Sequence, residues 1–204
     1  SGLMKVSSLG FTGGSPPSTD NPARQYGPAA SSATRTLASL FAHASIVYKT
    51  IPSMTTYSNT LLTKAELAWT WLQANPGNSA YNNSGFGSAN PEVSAYHQNS
   101  TTLTAAIYLF AATGNATYKM YVDNNYVIQP IQWTYWYPFE AAFQDALLYY
   151  CKTPGAHPGI VNTIRSNCIS SVLTNNGDLL PAYNSNKDVY MAQMQDNDYV
   201  WGNN

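Results

Sequence analysis

The sequence predicts an all-α chain built from αα-hairpins, part of an α/α barrel or toroid. Three observations lead there. Residues 99–128 (NSTTLTAAIYLFAATGNATYKMYVDNNYVI) contain two helical runs joined by Gly114-Asn115, and a glycine just past a helical run is the usual C-terminal stop. The same design recurs at 31–74 and again at 138–173. In each pair the first run is rich in small residues and apolar nearly all round, whereas the second is more amphipathic. A helix apolar all round is buried and an amphipathic one covers it, so an inner ring wrapped by an outer ring is expected.

Residues 1–30 are rich in Gly, Pro, Ser and Thr, with Gly13-Gly14, Pro16-Pro17, Asn21-Pro22 and Gly27-Pro28. They read as a long irregular lead-in rather than an element, in which Arg24 and Tyr26 are the large polar groups with ligand potential. The first helix covers 31–48, with His43 at its middle between Ala42 and Ala44. A lone histidine there reads as a packed, hydrogen-bonded residue rather than a catalyst. The second helix, 56–74, carries Tyr57, Leu61, Leu62, Ala65, Ala68, Trp69 and Leu72 at helical spacing. Trp69 and Trp71 read as packing, and Asn75-Pro76-Gly77 ends the helix.

A polar loop over 76–98 then leads into the next inner helix, where Leu103, Ala106, Ile107, Leu109 and Phe110 mark the apolar run. Its partner shows Tyr118, Tyr121, Val122 and Tyr126 on one face. The loop 129–137 (QPIQWTYWY) precedes the third pair, 138–151 followed by 159–173, and a last loop runs over 175–199. The connections from outer to inner helices are the long ones. They all open on one end of the barrel, and long loops on a rigid scaffold are where function usually sits. Aromatic faces beside hydrogen-bonding groups suit a sugar ring, which has apolar C–H faces and equatorial hydroxyls. The candidate ligand-contacting residues are therefore Tyr96, His97, Trp133, Tyr135, Trp136 and Trp201.

Composition bounds the partners. The 204 residues carry a net charge of −1, only 9% are charged and 13% are aromatic. Charged residues usually make up about 25%. Nine basic residues, spread thinly, argue against a nucleic-acid partner. No run of 18 apolar residues predicts a membrane span. Few charges with many Tyr, Trp and Asn fit a secreted protein that handles neutral, hydroxyl-rich ligands. Cys151 and Cys168 are separated by the predicted turn at 152–157. Cys168 lies about ten residues up the second helix, roughly 15 Å away, too far for a disulfide, so two buried free thiols are expected. No cofactor is implied, and two cysteines make no metal site.

Four segments resemble glycoside hydrolase family 9, the cellulase family: 26–48 (YGPAASSATRTLASLFAHASIVY), 57–75 (YSNTLLTKAELAWTWLQAN), 105–118 (AAIYLFAATGNATY) and 199–204 (YVWGNN). They occur in the family's order and span nearly the whole chain. The resemblance implies an α/α six-hairpin barrel, of which residues 1–204 would be about half, and inverting hydrolysis of β-1,4-glucan. The family's Asp-Ala-Gly-Asp motif and its Asn-Pro-His-x-Arg motif with the following acid Glu do not occur here. The N-terminal and C-terminal catalytic segments would then lie outside this chain, with a β-glucan as substrate and the remaining barrel segments, or a second copy, as partner. An Asp-Glu pair and a Trp common at the start of the inner helix align with Ser100, Thr101 and Thr104.

Inversion needs an acid and a base about 6.5–9.5 Å apart. Of ten acidic residues, Glu66 and Asp123 fall on outer helices and read as solvated. Glu92, Glu140, Asp196 and Asp198 lie near the loop-rich end, Glu140 with Asp198 being the best available pair. No spacing singles them out, so no catalytic residue is assigned. Two alternatives stand beside hydrolysis. One is a non-catalytic glycan-binding protein. The other is a polysaccharide lyase or sugar epimerase using His97 with Tyr135 and Arg24.

Overall fold

A computed structural model describes residues 1–6, 16–19, 25–77, 94–127, 141–173 and 184. The chain forms two compact units, Ser1–Thr113 and Gly114–Asn204. In the first, strands β1 (Gly2–Val6) and β2 (Gln25–Ala30) precede helices α1 (Ser31–Lys49), α2 (Thr55–Ala74) and α3 (Ala95–Thr113). The second holds α4 (Ala116–Asn125), α5 (Ala141–Tyr150) and α6 (Pro158–Leu173). Among the described residues, these six α-helices fall where three αα-pairs were predicted.

The α1–α2 pair shows why small residues matter. Ala38, Ala42 and Ser45 on α1 are buried, as are Ser58, Leu61, Ala65, Ala68, Trp69 and Leu72 on α2. The Ser58 hydroxyl donates to the Ser45 carbonyl at 2.8 Å. Such a contact requires close backbones, which a pair of serines allows. Tyr48 meets Tyr57 edge-on beside the turn, 5.0 Å between ring centres. Trp69 is core, as its spacing predicts.

Helix α3 is buried at every position from Thr102 to Phe110. It packs on α1, where the ring of His43 stacks on that of Tyr108 at 4.2 Å and 4°. That fits the reading of His43 as a packing residue. Gly114, at φ 69°, ends α3 in the left-handed region that a side chain disfavours. Asn115 then caps α4, its side chain accepting from the Thr117 N–H at 2.9 Å.

Four expectations need correction. Residues 1–30 are not wholly irregular, because β1 and β2 pair antiparallel. The ladder runs Gly2–Ala30 and Leu3–Ala29, then Lys5–Tyr26 and Val6–Gln25. One residue thus opposes two, Gly27 and Pro28, and this bulge puts the proline, which has no N–H, where the ladder is already broken. Pairing at such a separation leaves no local signature in a Gly/Pro-rich segment. The ribbon is seated on α1: the Gly2 N–H donates to Thr34 Oγ1 at 2.8 Å, and a Cβ at Gly2 would stand 2.8 Å from the Ala33 carbonyl.

Second, α1 is not buried all round. Its buried face is Ser31, Thr34, Arg35, Ala38, Ala42 and Ser45, while Leu40 and Val47, two turns apart, are 57% and 51% exposed. Third, neither thiol is in a disulfide, as expected, but both are only half-buried. Cys151 Sγ points at the Val161 carbonyl, 3.9 Å away, which puts Cys168 seven residues further along α6, or about 10 Å. Burial pushes both thiols above their usual pKa, against the pull of Arg165 on Cys151.

In the second unit a buried phenol organises the α5–α6 turn. Tyr150 is fully buried, donates to Asp123 Oδ1 at 2.6 Å and accepts from the His157 N–H at 2.9 Å. Asp123 also pairs with Lys119 one turn back on α4, at 2.5 Å. Asp123 was expected to be solvated. It is instead half-buried and spoken for, because the aromatic spacing of α5 brings a hydroxyl to it.

Candidate functional site

The described part of the candidate site is the first turn of α3. The sequence places Tyr96 and His97 at the end of a loop; the structure places them inside the helix, which starts at Ala95. The polar stretch AYHQNS has no apolar periodicity, so the start was not legible by period. The sign was Ser94. Its hydroxyl accepts from the His97 N–H at 3.3 Å, satisfying one of the orphan donors of a helix N-terminus. The same hydroxyl lies 3.0 Å from His97 Nδ1. The Tyr96 and His97 rings meet edge-on, 5.4 Å apart. His97 is exposed and Tyr96 half-buried. The pair thus offers a ring edge, a phenol and an imidazole at one helix end, groups suited to stacking on and hydrogen-bonding a polar ring.

Beneath this turn lies a polar core that the sequence reading missed. Gln98 is 3% exposed, and its Oε1 accepts from both Arg35 Nη1 and Ser31 Oγ on α1. Arg35 is itself only 6% exposed. The one available clue was an arginine one turn inside an Ala/Ser-rich helix. On the opposite side of α3, Ser100 is 1% exposed and its hydroxyl meets no hydrogen-bond partner among the described residues. Thr104 donates to the Ser100 carbonyl at 2.9 Å. Thr101, the other position aligned with the Asp-Glu pair, is half-buried and bonds the His97 carbonyl at 2.8 Å.

Trp133, Tyr135, Trp136 and Trp201 lie outside the described residues, as do Arg24, Glu92, Glu140, Asp196 and Asp198. The described carboxylates are Glu66 on α2, Asp123 on α4 and Asp145 on α5. Among the described residues no group of three His, Cys, Asp or Glu could hold a metal ion, and no helix is long and apolar enough to cross a membrane.

Residues 14–204 match the sequence profile of glycosyl hydrolase family 9. The chain belongs to that family. No curated protein matches. Among solved structures, one similar chain is the crystal structure of a metagenome-derived glycoside hydrolase family 9 endoglucanase. The two share 21% identity and a TM-score of 0.62, over 82% of this chain and 30% of the other. At that identity the likeness shows the fold, the helical pairs of a family 9 α/α barrel. This family 9 chain therefore spans about a third of the length of the structure it matches, and its strand β1 precedes the family match altogether.

Proposed function

We propose that this chain is part of a secreted family 9 β-1,4-glucan hydrolase and contributes sugar-contacting surface to its cleft. The observation that carries the reading is the family match over nearly the whole chain. The paired rings at the loop-side end of α3 support it. In this reading Tyr96, His97, Trp133, Tyr135, Trp136 and Trp201 stack on and hydrogen-bond glucose units. The catalytic acid and base, working by inversion, are Glu and Asp residues of barrel segments outside this chain. Cello-oligosaccharide binding, followed by tryptophan fluorescence and calorimetry, tests it. Trp136→Ala is expected to weaken binding about tenfold, the loss of one stacking contact of roughly 1.4 kcal/mol. Wild-type chain with no measurable affinity for any soluble β-glucan would count against the reading.

A second reading has an observation of its own. The Ser100 hydroxyl is buried and meets no partner among the described residues, at a position aligned with an acidic residue of the family. A buried polar group without a partner costs about 1–3 kcal/mol. That is the signature expected where a short alcohol replaces a hydrogen-bonding acid, and it favours a barrel that binds glucan without cleaving it. Binding without release of reducing sugar by the full-length gene product would select this reading.

The exposed Leu40 and Val47 lie on one face of α1, and exposed Ile51 follows just past the end of the helix. In a closed barrel the remaining segments would cover this face. The isolated chain is therefore expected to self-associate through it. Sedimentation should show a concentration-dependent weight that Leu40→Lys/Val47→Lys removes, and a monodisperse wild-type monomer would refute the expectation.

A further inference from the structure

We propose that Arg35 is a positioning residue, which through Gln98 locks the first turn of α3 and so fixes the Tyr96 and His97 rings at the ligand end. The inference deepens the glycan-site reading above and rests on it for the ligand. Three observations carry it. The Gln98 carbonyl oxygen has two lone pairs, and α1 fills both, with Arg35 Nη1 and Ser31 Oγ. One of the two bonds is charge-assisted and therefore strong. Gln98 directly follows the two rings, and its own N–H closes the first helical turn on the Ser94 carbonyl at 3.0 Å. Ser94 in turn holds both the backbone and the ring of His97. The chain of contacts from Arg35 to the imidazole is continuous. At the other side, Thr34 donates to the Ala30 carbonyl at 2.7 Å and accepts from Gly2, so the first turn of α1 is held by the ribbon as well.

Stability alone does not account for Arg35. Placing a guanidinium at 6% exposure carries a desolvation penalty. Replacing a buried polar pair with apolar groups of like volume is often neutral or stabilising. What an apolar pair cannot supply is direction: one oxygen shared between two fixed donors sets the rotation of α3 about its axis, and with it where residues 96 and 97 point.

The test uses the full chain and three variants. Arg35→Met/Gln98→Leu replaces two members of the network with apolar side chains and removes the acceptor of the third, Ser31. Gln98→Glu keeps an acceptor for both donors. Arg35→Lys keeps the charge and loses the planar fork. The deciding readout needs no ligand: the nuclear Overhauser contact between the Tyr96 and His97 rings, and amide exchange at Gln98. In the folded double variant the ring contact is expected to vanish and amide exchange at position 98 to rise at least tenfold, with both wild-type signals retained in Gln98→Glu. If the double variant does not fold, Arg35→Lys reads the same two signals. Unchanged ring contact and exchange overturn the proposal. Cello-oligosaccharide affinity is measured alongside, and a roughly tenfold loss in the double variant supports the role. Binding that is strong in the wild type and unaltered in the variant also overturns it. A wild type that binds no glucan fails the glycan reading instead, and the ring signals still decide whether Arg35 positions the turn.

Discussion

Leu109→Ala is expected to destabilise the chain by about 2–5 kcal/mol, the range for truncating a fully buried leucine. Leu109 has no exposed surface, and it lies in the stretch of α3 that is buried at every position from Thr102 to Phe110. An all-round buried helix has no solvent side toward which neighbours can relax, so the cavity stays open and the cost tends to the upper half of that range. Urea denaturation followed by far-ultraviolet circular dichroism measures it. The contrast is Leu40→Ala on α1, at an exposed position, where a change within about 0.5 kcal/mol is expected. Equal effects at the two sites would contradict the assignment of α3 as an inner helix.

Tyr150→Phe is expected to cost about 1–3 kcal/mol, because it strips partners from two groups at once. Asp123 loses the donated hydroxyl and the His157 N–H loses its acceptor. The same cluster gives a pH dependence. Burial first, and the bond to Asp123 second, push the Tyr150 phenol well above its usual value near 10. The folded state therefore keeps the proton where the unfolded state releases it. The contribution is complete below about pH 10 and falls away as pH rises through the unfolded value toward the folded one. Wild-type chain should lose stability above pH 10 more steeply than Tyr150→Phe, read as the urea midpoint against pH. Tyrosinate absorbance should show the phenol ionising only as structure is lost. Parallel alkaline curves for the two proteins would disprove the linkage.

The helical pairs were legible because their signals are local. Ala, Leu and Tyr recur at helical spacing, and Gly114 and Pro154-Gly155 mark the stops. Gly155 takes a φ of 82°, as such a stop requires. The ribbon was not legible, since Gly2 meets Ala30 across a segment with no alternating pattern. Of the candidate site, the sequence offered residue types and their place at helix ends. Aromatic residues at the loop-side ends of helices could be picked by chemistry, and Tyr96 and His97 do stand together. Their support could not: nothing in the sequence links Arg35 to Gln98, because a buried polar contact is defined by geometry rather than by spacing. Asp123 makes the same point. Nothing in its α4 surroundings, between Val122 and Asn124, singles it out, so only the fold reveals that it holds the Tyr150 hydroxyl.

The two ends of the first unit also differ in when they can form. The Ser58–Ser45 bond at the α1–α2 turn joins residues 13 apart, whereas Arg35 and Gln98 are 63 apart. Loop-closure entropy rises with the logarithm of that separation, so the second contact carries about 1.4 kcal/mol more. Short-range contacts nucleate and long-range ones follow. The α1–α2 hairpin should thus assemble early, with its turn as nucleus, and the end bearing Tyr96 and His97 should be the last part of the unit to lock in place. Mutations at Arg35 or Gln98 would then quicken unfolding and leave the refolding rate nearly unchanged, whereas mutations at Ser45 or Ser58 would slow refolding.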